Sequence, residues 1–170
     1  DNPDDRILAV RELRREFEDI EIEQIAEAED LSRALNKKDF DLVITDYQLR
    51  WTNGIAVLQV VKSRWPDCPV IMFTGTGSEE IAAEAMKAGL SDYIVKSPKH
   101  FARLPIAVKS ALERMKQRKA MRNMETRYRR LFDGVPVGLY RLAPDGRLVE
   151  ANLALVSILG YPNREILLAT

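Results

Sequence analysis

Three polar residues each close an apolar run: Asp46 follows Leu42-Val43-Ile44-Thr45, Thr74 follows Val70-Ile71-Met72-Phe73, and Lys96 follows Tyr93-Ile94-Val95. Aliphatic and β-branched runs of this length read as parallel strands covered on both faces. In an open α/β sheet, the carboxyl ends of such strands form the crevice where ligands bind. A carboxylate, a hydroxyl and an ammonium would then converge on one edge. A carboxylate can attack phosphorus and form an acyl phosphate. The charge on the transferred oxygens then calls for a cation, a hydroxyl donor and a divalent metal. Asp1, at the edge of a first strand expected upstream of it, would help to hold a Mg²⁺ that keeps several of its waters.

The elements that must position these groups follow from periodicity. Ile7, Leu8, Val10, Leu13 and Phe17 recur at helical spacing from Pro3, with Asp1 and Asn2 as caps. Glu21 to Ala26 reads as a short strand and Asp30 to Lys38 as a helix. The strand at 41–46 leads into a loop closing at Asn53-Gly54. Ile55 to Arg64 is helical and stops at Trp65-Pro66. Pro69 to Phe73 is a buried strand, Glu79 to Lys87 a helix with Gly89 as its C-cap, and Tyr93 to Val95 a strand. A long helix begins after Pro105. The alternation predicts a doubly wound parallel α/β sheet with right-handed crossovers. Such a fold opens on a strand, whereas this chain opens on a helix, so the first of five strands is expected upstream of Asp1.

These features resemble the receiver domain of two-component response regulators, a flavodoxin-like fold, over about residues 1–115. The resemblance rests on Asp1-Asn2-Pro3-Asp4-Asp5-Arg6, the Asp46 strand, Thr74-Gly75 and Tyr93-Ile94-Val95-Lys96, with 28 residues from Asp46 to Thr74 and 22 from Thr74 to Lys96. It implies that Asp46 is the phosphoacceptor. It also implies a Mg²⁺ held by Asp1, Asp46 and the backbone carbonyl of Gln48, with Thr74 and Lys96 contacting the phosphoryl group. Tyr93 becomes the aromatic whose rotamer reports phosphorylation. The implied partner is a sensor histidine kinase or a phosphotransfer protein. Two departures stand out: Ser97 separates Lys96 from Pro98, and the loop after Asp46 reads Arg50-Trp51-Thr52-Asn53-Gly54, where many members carry a proline. An aspartate-nucleophile phosphatase would need a general acid about two residues beyond the nucleophile, where Gln48 stands. A receiver-like module that is never phosphorylated and serves only dimerisation is the alternative reading.

Beyond the sheet, Val108, Leu112 and Met115 step by four and three, and Met121, Met124, Tyr128 and Leu131 by three, four and three. Lys119 and Arg122 interrupt the phase, which predicts two pieces of heptad with a stutter between them. A connecting helix over 106–131 is expected, pairing across a homodimer. Leu131 to Tyr140 and Arg147 to Asn152 flank a Pro144-Asp145-Gly146 turn and read as a hairpin, followed by a helix from Leu153 that ends at Gly160. From about 126 to 170 the chain resembles the opening part of an α+β PAS sensor domain. The resemblance rests on Tyr128 to Phe132, Gly138-Leu139-Tyr140, Pro144-Asp145-Gly146, Glu150-Ala151-Asn152 and Leu159-Gly160-Tyr161-Pro162. No PAS ligand can be assigned.

Composition agrees with a soluble globular chain: 46% apolar, 31% charged and formally neutral over 170 residues. Residues 1–48 carry fifteen acids against seven bases, and 109–130 carry nine bases against Glu113 and Glu125. That basic stretch lacks aromatic interleaving and a helix-turn-helix pattern, so a solvated face rather than direct nucleic-acid binding is expected. No apolar run reaches the roughly 18 residues of a membrane span. A single cysteine, Cys68, has no disulfide or metal partner in sequence, which fits the cytoplasm. The chain reads as a regulatory unit rather than a catalytic domain, although its parent protein could be a histidine kinase.

Overall fold

The computed structural model describes residues 2–37, 40–75, 78–97 and 100–169. The chain divides into two compact units, Asp1–Lys116 and Gln117–Thr170. In the first, α1 (Pro3–Glu16), α2 (Ala28–Lys37), β1 (Val43–Thr45), α3 (Gly54–Arg64), β2 (Val70–Thr74), α4 (Glu79–Lys87) and β3 (Asp92–Val95) alternate before α5 (Leu104–Gly134). The three strands pair in parallel in the order β1-β2-β3, with Thr45 opposite Met72 and Thr74 opposite Val95.

Side-chain alternation along β2 explains the layering. Val70 and Met72 point to a core built with Leu31 of α2, Ile55, Val57, Leu58 and Val61 of α3, and Ala85 of α4. Ile71 and Phe73 point the other way, to Leu13 of α1 and to Leu104, Ala107, Val108 and Ala111 of α5. Every residue of β2 is therefore buried, and at about 25 cal/mol per Å² this central strand anchors both layers. Local signals start and stop the helices as the sequence predicts. Asn2, Asn53 and Ser78 accept from the backbone N–H of Asp4, Ala56 and Ile81 at the starts of α1, α3 and α4. Gly89 adopts φ +94° just after α4, a conformation other residues rarely take.

Glu21 to Ala26 differs from its expected strand. It is without regular structure and joins no ladder. In the 2-1-3-4-5 order of a flavodoxin-like sheet, a strand at this place pairs only with one that precedes α1. Among the described residues no strand precedes α1, so no β-ladder forms along this segment. Its apolar side chains are still used, since Ile22 and Ile25 pack on the two cores.

Cys68 is buried, its Sγ donating to the Phe40 carbonyl at 3.3 Å, and burial pushes its thiol up to about 11. It is a core residue with almost no thiolate at neutral pH.

Helix α5 is one element of 31 residues. Val108 and Ala111 are buried against the sheet of the first unit, with Leu112 packed beside them. Met121, Met124, Tyr128 and Leu131 are exposed. The phase slip between the two apolar series thus separates a seam that packs on its own unit from one that faces outward. In the second unit, β4 (Tyr140–Leu142) and β5 (Leu148–Ala151) form an antiparallel hairpin, followed by α6 (Leu153–Ile158) and α7 (Arg164–Leu168). Leu131 to Gly134, read from sequence as the start of the hairpin strand and, at Leu131, also as the end of the connecting helix, completes α5.

Candidate functional site at the carboxyl edge of the parallel sheet

Parallel register fixes the meeting point. Asp46 is one residue past β1, Thr74 is the last residue of β2, and Lys96 is one residue past β3, its N–H donating to the Thr74 carbonyl at 2.7 Å. The three therefore share an edge, as their places in sequence predict. Lys96 Nζ donates to Asp46 Oδ2 at 2.6 Å and to Asp5 Oδ2 at 2.9 Å. The Thr74 hydroxyl and the Tyr47 backbone N–H also bond the Asp46 carboxylate. Thr74 is fully buried, and the Lys96 and Asp46 side chains are only 13% and 16% exposed.

These contacts set the charges. Burial pushes the Asp46 carboxyl up, but the hydrogen bonds from Lys96 and Thr74, the Lys96 charge and the Tyr47 N–H together outweigh it and hold the group below the ordinary carboxylate range. Burial lowers Lys96, and the bonds and charges of Asp46 and Asp5 more than reverse this, leaving it raised. Asp46 is therefore ionised at neutral pH. The depressed acid contributes stability that is present above its unfolded value near 4 and is lost as pH falls through its folded value. The raised amine contributes stability that is complete below about 10.4 and is lost as pH rises through its folded value. Between those limits the pair is intact.

An open cleft of about 330 Å³ lies over this edge, lined by Asn2, Asp5, Asp46, Gln48, Arg50 and Lys96 among others. The loop at its rim is tightly held. Gln48 bridges Asn53 in antiparallel fashion, Leu49 N–H donates to the Thr52 carbonyl at 3.2 Å, and Gly54 N–H donates to the Tyr47 carbonyl at 2.8 Å. Gly54 makes that closure possible, because a Cβ there would sit 2.4 Å from the Asp46 backbone oxygen and 2.9 Å from Met72 Cε. Gly54→Ala is therefore expected to cost about 1–3 kcal/mol, the range for overpacking a close-packed site. Thermal denaturation should register the loss, and an unchanged melting temperature would contradict the close approach.

Tyr93 lies on the α3 and α4 side of the sheet, half-buried against the first core. Its hydroxyl is buried with no hydrogen-bond partner among the described residues, and burial, then the neighbouring Tyr47 and Asp46, push its pKa up. His100, a bystander in sequence, places Nδ1 2.6 Å from the Val95 carbonyl, a separation that suits a protonated Nδ1 donating to it.

Two site expectations need comment. Asp1 lies outside the described residues. Asp5, in the first turn of α1, was not singled out from sequence, yet it shares Lys96 with Asp46. Oxygen donors of the kind Mg²⁺ takes are present, in the Asp46 and Asp5 carboxylates and the backbone at Gln48. Among the described residues no group of three or more acidic, histidine or cysteine side chains is arranged to hold a metal. The chemistry of these donors fits Mg²⁺.

Comparison with known proteins agrees with this geometry. Residues 1–109 match the family described as response regulator receiver domain, and residues 126–169 match the family described as PAS domain. Regulatory protein LuxO of Vibrio cholerae serotype O1 is 32% identical over 96 residues, covering 56% of this chain and 21% of LuxO. The crystal structure of NtrX from Brucella abortus superposes with a TM-score of 0.67 at 28% identity, covering 82% of this chain and 30% of that one. The crystal structure of the receiver domain of NtrX from Brucella abortus gives 0.58 at 32% identity, covering 65% of this chain and 91% of that domain. The chain spans about a fifth of the length of the curated relatives it matches. Among the described residues no helix is long and apolar enough to cross a membrane.

Proposed function

The chain belongs to the response regulator receiver domain family through residues 1–109, and from that premise we propose that Asp46 is the phosphoacceptor of a two-component phosphorelay. The observation that carries this reading is the Asp46 carboxylate itself, ionised at a sheet edge and bonded by Lys96, the Thr74 hydroxyl and a backbone N–H. An Asp46 oxygen attacks the phosphorus of a phosphohistidine on a sensor kinase or phosphotransfer protein. A P–O bond forms, the P–N bond breaks, and the imidazole leaves with the bonding pair and takes up a proton. Lys96 then pairs with a phosphoryl oxygen and Thr74 donates to another, so both groups that now stabilise the carboxylate are at hand for the new charge. Receiver domains generally use Mg²⁺ for phosphorylation; bound by Asp1, Asp46 and the Gln48 carbonyl, it would supply charge neutralisation at the transferred oxygens.

The relay beyond the site is part of the proposal. Tyr93 keeps its hydroxyl inward with no hydrogen-bond partner among the described residues, and a rearrangement of Thr74 toward the phosphoryl group opens an alternative rotamer. Phosphorylation acts by stabilising one of two receiver surfaces relative to the other. Residues 1–115 form the receiver, 106–131 connect it onward, and 126–170 open a PAS domain that receives the change. The exposed seam of Met121, Met124, Tyr128 and Leu131 supports homodimerisation through the connecting helix. A cytoplasmic setting suits such a relay, and direct nucleic-acid contact is not assigned to this stretch.

Intact mass of the full-length protein with acetyl phosphate, with and without Mg²⁺, tests the reading. A Mg²⁺-dependent gain of one phosphoryl group is expected, with borohydride reduction converting Asp46 to homoserine in the peptide map. A second reading is a receiver-like module that is never phosphorylated and serves only dimerisation, supported by the exposed apolar side chains of Met121, Met124, Tyr128 and Leu131. No gain with either metal condition would establish it.

A further inference from the structure

The charge balance of the cleft leaves one cation without a described task. Lys96 is committed to two carboxylates, Asp46 at 2.6 Å and Asp5 at 2.9 Å. A phosphodonor entering the cleft carries up to two negative charges and must approach both acids. Arg50 lines the same cleft, is exposed, and forms no ion pair or hydrogen bond among the described residues. It is presented rather than left to wander. The bridge of Gln48 with Asn53 and the bond from Leu49 N–H to the Thr52 carbonyl fold the loop on itself, with Arg50 and Trp51 at the tip. A guanidinium offers planar paired donors that match a phosphate's oxygens and stays charged at any working pH.

We propose that Arg50 is a specificity-determining residue that receives the anionic phosphoryl group of the incoming donor at the cleft mouth and delivers it to Asp46. The inference rests on the phosphoacceptor reading of Asp46 and adds to it a residue acting on the donor. Before transfer, Arg50 adds a second positive charge to a cleft whose two carboxylates share Lys96. After transfer, Lys96 is released to the phosphoryl group and Arg50 is no longer required. Its influence therefore falls on the rate of entry and not on the lifetime of the product. Because Arg50 is exposed, its attraction is screened by salt over roughly 8–10 Å at physiological ionic strength.

The test uses the full-length protein, acetyl phosphate with Mg²⁺, and a series of ionic strengths. Arg50→Ala is expected to lower the second-order rate constant for phosphorylation at least threefold at low salt. It should also flatten the dependence on ionic strength and leave the dephosphorylation rate within twofold of wild type. Arg50→Lys should restore the salt dependence and part of the rate. An Arg50→Ala rate and salt slope equal to wild type would overturn the inference while the wild-type mass gain leaves Asp46 as acceptor. A loss matched by Trp51→Ala, with the salt slope unchanged, would also overturn it by assigning the effect to loop shape. Wild type that gains no phosphoryl group would remove the acceptor reading and the inference together.

Discussion

Lys96→Met is expected to slow phosphorylation of the full-length protein by a factor on the order of 100 or more, the scale on which a single preorganised donor to a developing oxyanion acts. Asp46→Asn is expected to abolish it, since an amide supplies no nucleophile. The two variants should part ways in stability. Removing the ammonium leaves Asp46 and Asp5, both mostly shielded from solvent, facing one another without their shared cation. That should cost about 2–4 kcal/mol, below the upper end for a fully dry pair because Asp5 keeps 28% of its side-chain surface. Asparagine at 46 keeps Lys96 paired with Asp5 and removes a negative charge, so its effect should stay within about 1 kcal/mol. Urea titrations at pH 7 and pH 3 separate these cases. The Lys96→Met penalty should shrink at pH 3, where the Asp46 carboxylate, no longer held down by the ammonium, protonates. A penalty unchanged by pH would mean that the lysine stem, and not its charge, is what the fold uses.

How far the sequence reaches can be argued from particular residues. The three strand-end groups were legible because register in a parallel sheet converts position in sequence into position on an edge. Once Val70 to Thr74 is a buried strand, its end and those of its neighbours must align. The starts of α3 and α4 fall where the sequence places them, each beside a capping side chain, Asn53 and Ser78. Glu21 to Ala26 was misread because alternation reports which side chains go inward, and those of Ile22 and Ile25 do; it cannot report whether a neighbouring strand is there to accept the backbone. Leu131 to Gly134 was read as strand because its apolar content is ambiguous over four residues, whereas the preceding 27 residues of helix carry it forward at little cost per residue. Helix α7 was overlooked although Asn163 caps it and Glu165 stands in its first turn.

Asp5 shows the other kind of limit. The residue before it is an acid too, and nothing in composition distinguishes Asp4 from Asp5. Only the rotation of α1 on the sheet, set by Leu13 and its neighbours in the core, decides which of them faces Lys96. Arg50 is similar. A sequence can record an arginine in a loop, but its value depends on whether that loop folds back over the acid.

Asn152→Leu is expected to unfold the hairpin unit while leaving the parallel sheet intact. Leucine nearly matches asparagine in shape, so the effect isolates hydrogen bonding. Asn152 is fully buried and uses its whole capacity: Nδ2 donates to the Phe132 and Val137 carbonyls at 2.9 and 2.8 Å, and Oδ1 accepts from the N–H groups of Leu139 and Leu155 at 2.9 Å each. One side chain thus ties the end of α5, the lead into β4 and the first turn of α6 together. Leucine would strand two donors and two acceptors, each costing about 1–3 kcal/mol if buried. Relaxation and water will recover part of that, so a net loss of about 3–5 kcal/mol is expected, comparable to the whole stability of so small a unit. Asn152→Asp should fare nearly as badly, because an oxygen would face the two carbonyls. Asn163 offers the contrast. It makes one capping bond, to Ile166 N–H at 2.9 Å, and Asn163→Ala should cost about 1 kcal/mol. Hydrogen exchange read by mass spectrometry decides the matter: Asn152→Leu should lose protection across residues 132–169 and keep it in β1, β2 and β3. Protection retained in the hairpin would mean that the unit's apolar contacts, from Ala151, Val156 and Leu167, hold it without the asparagine.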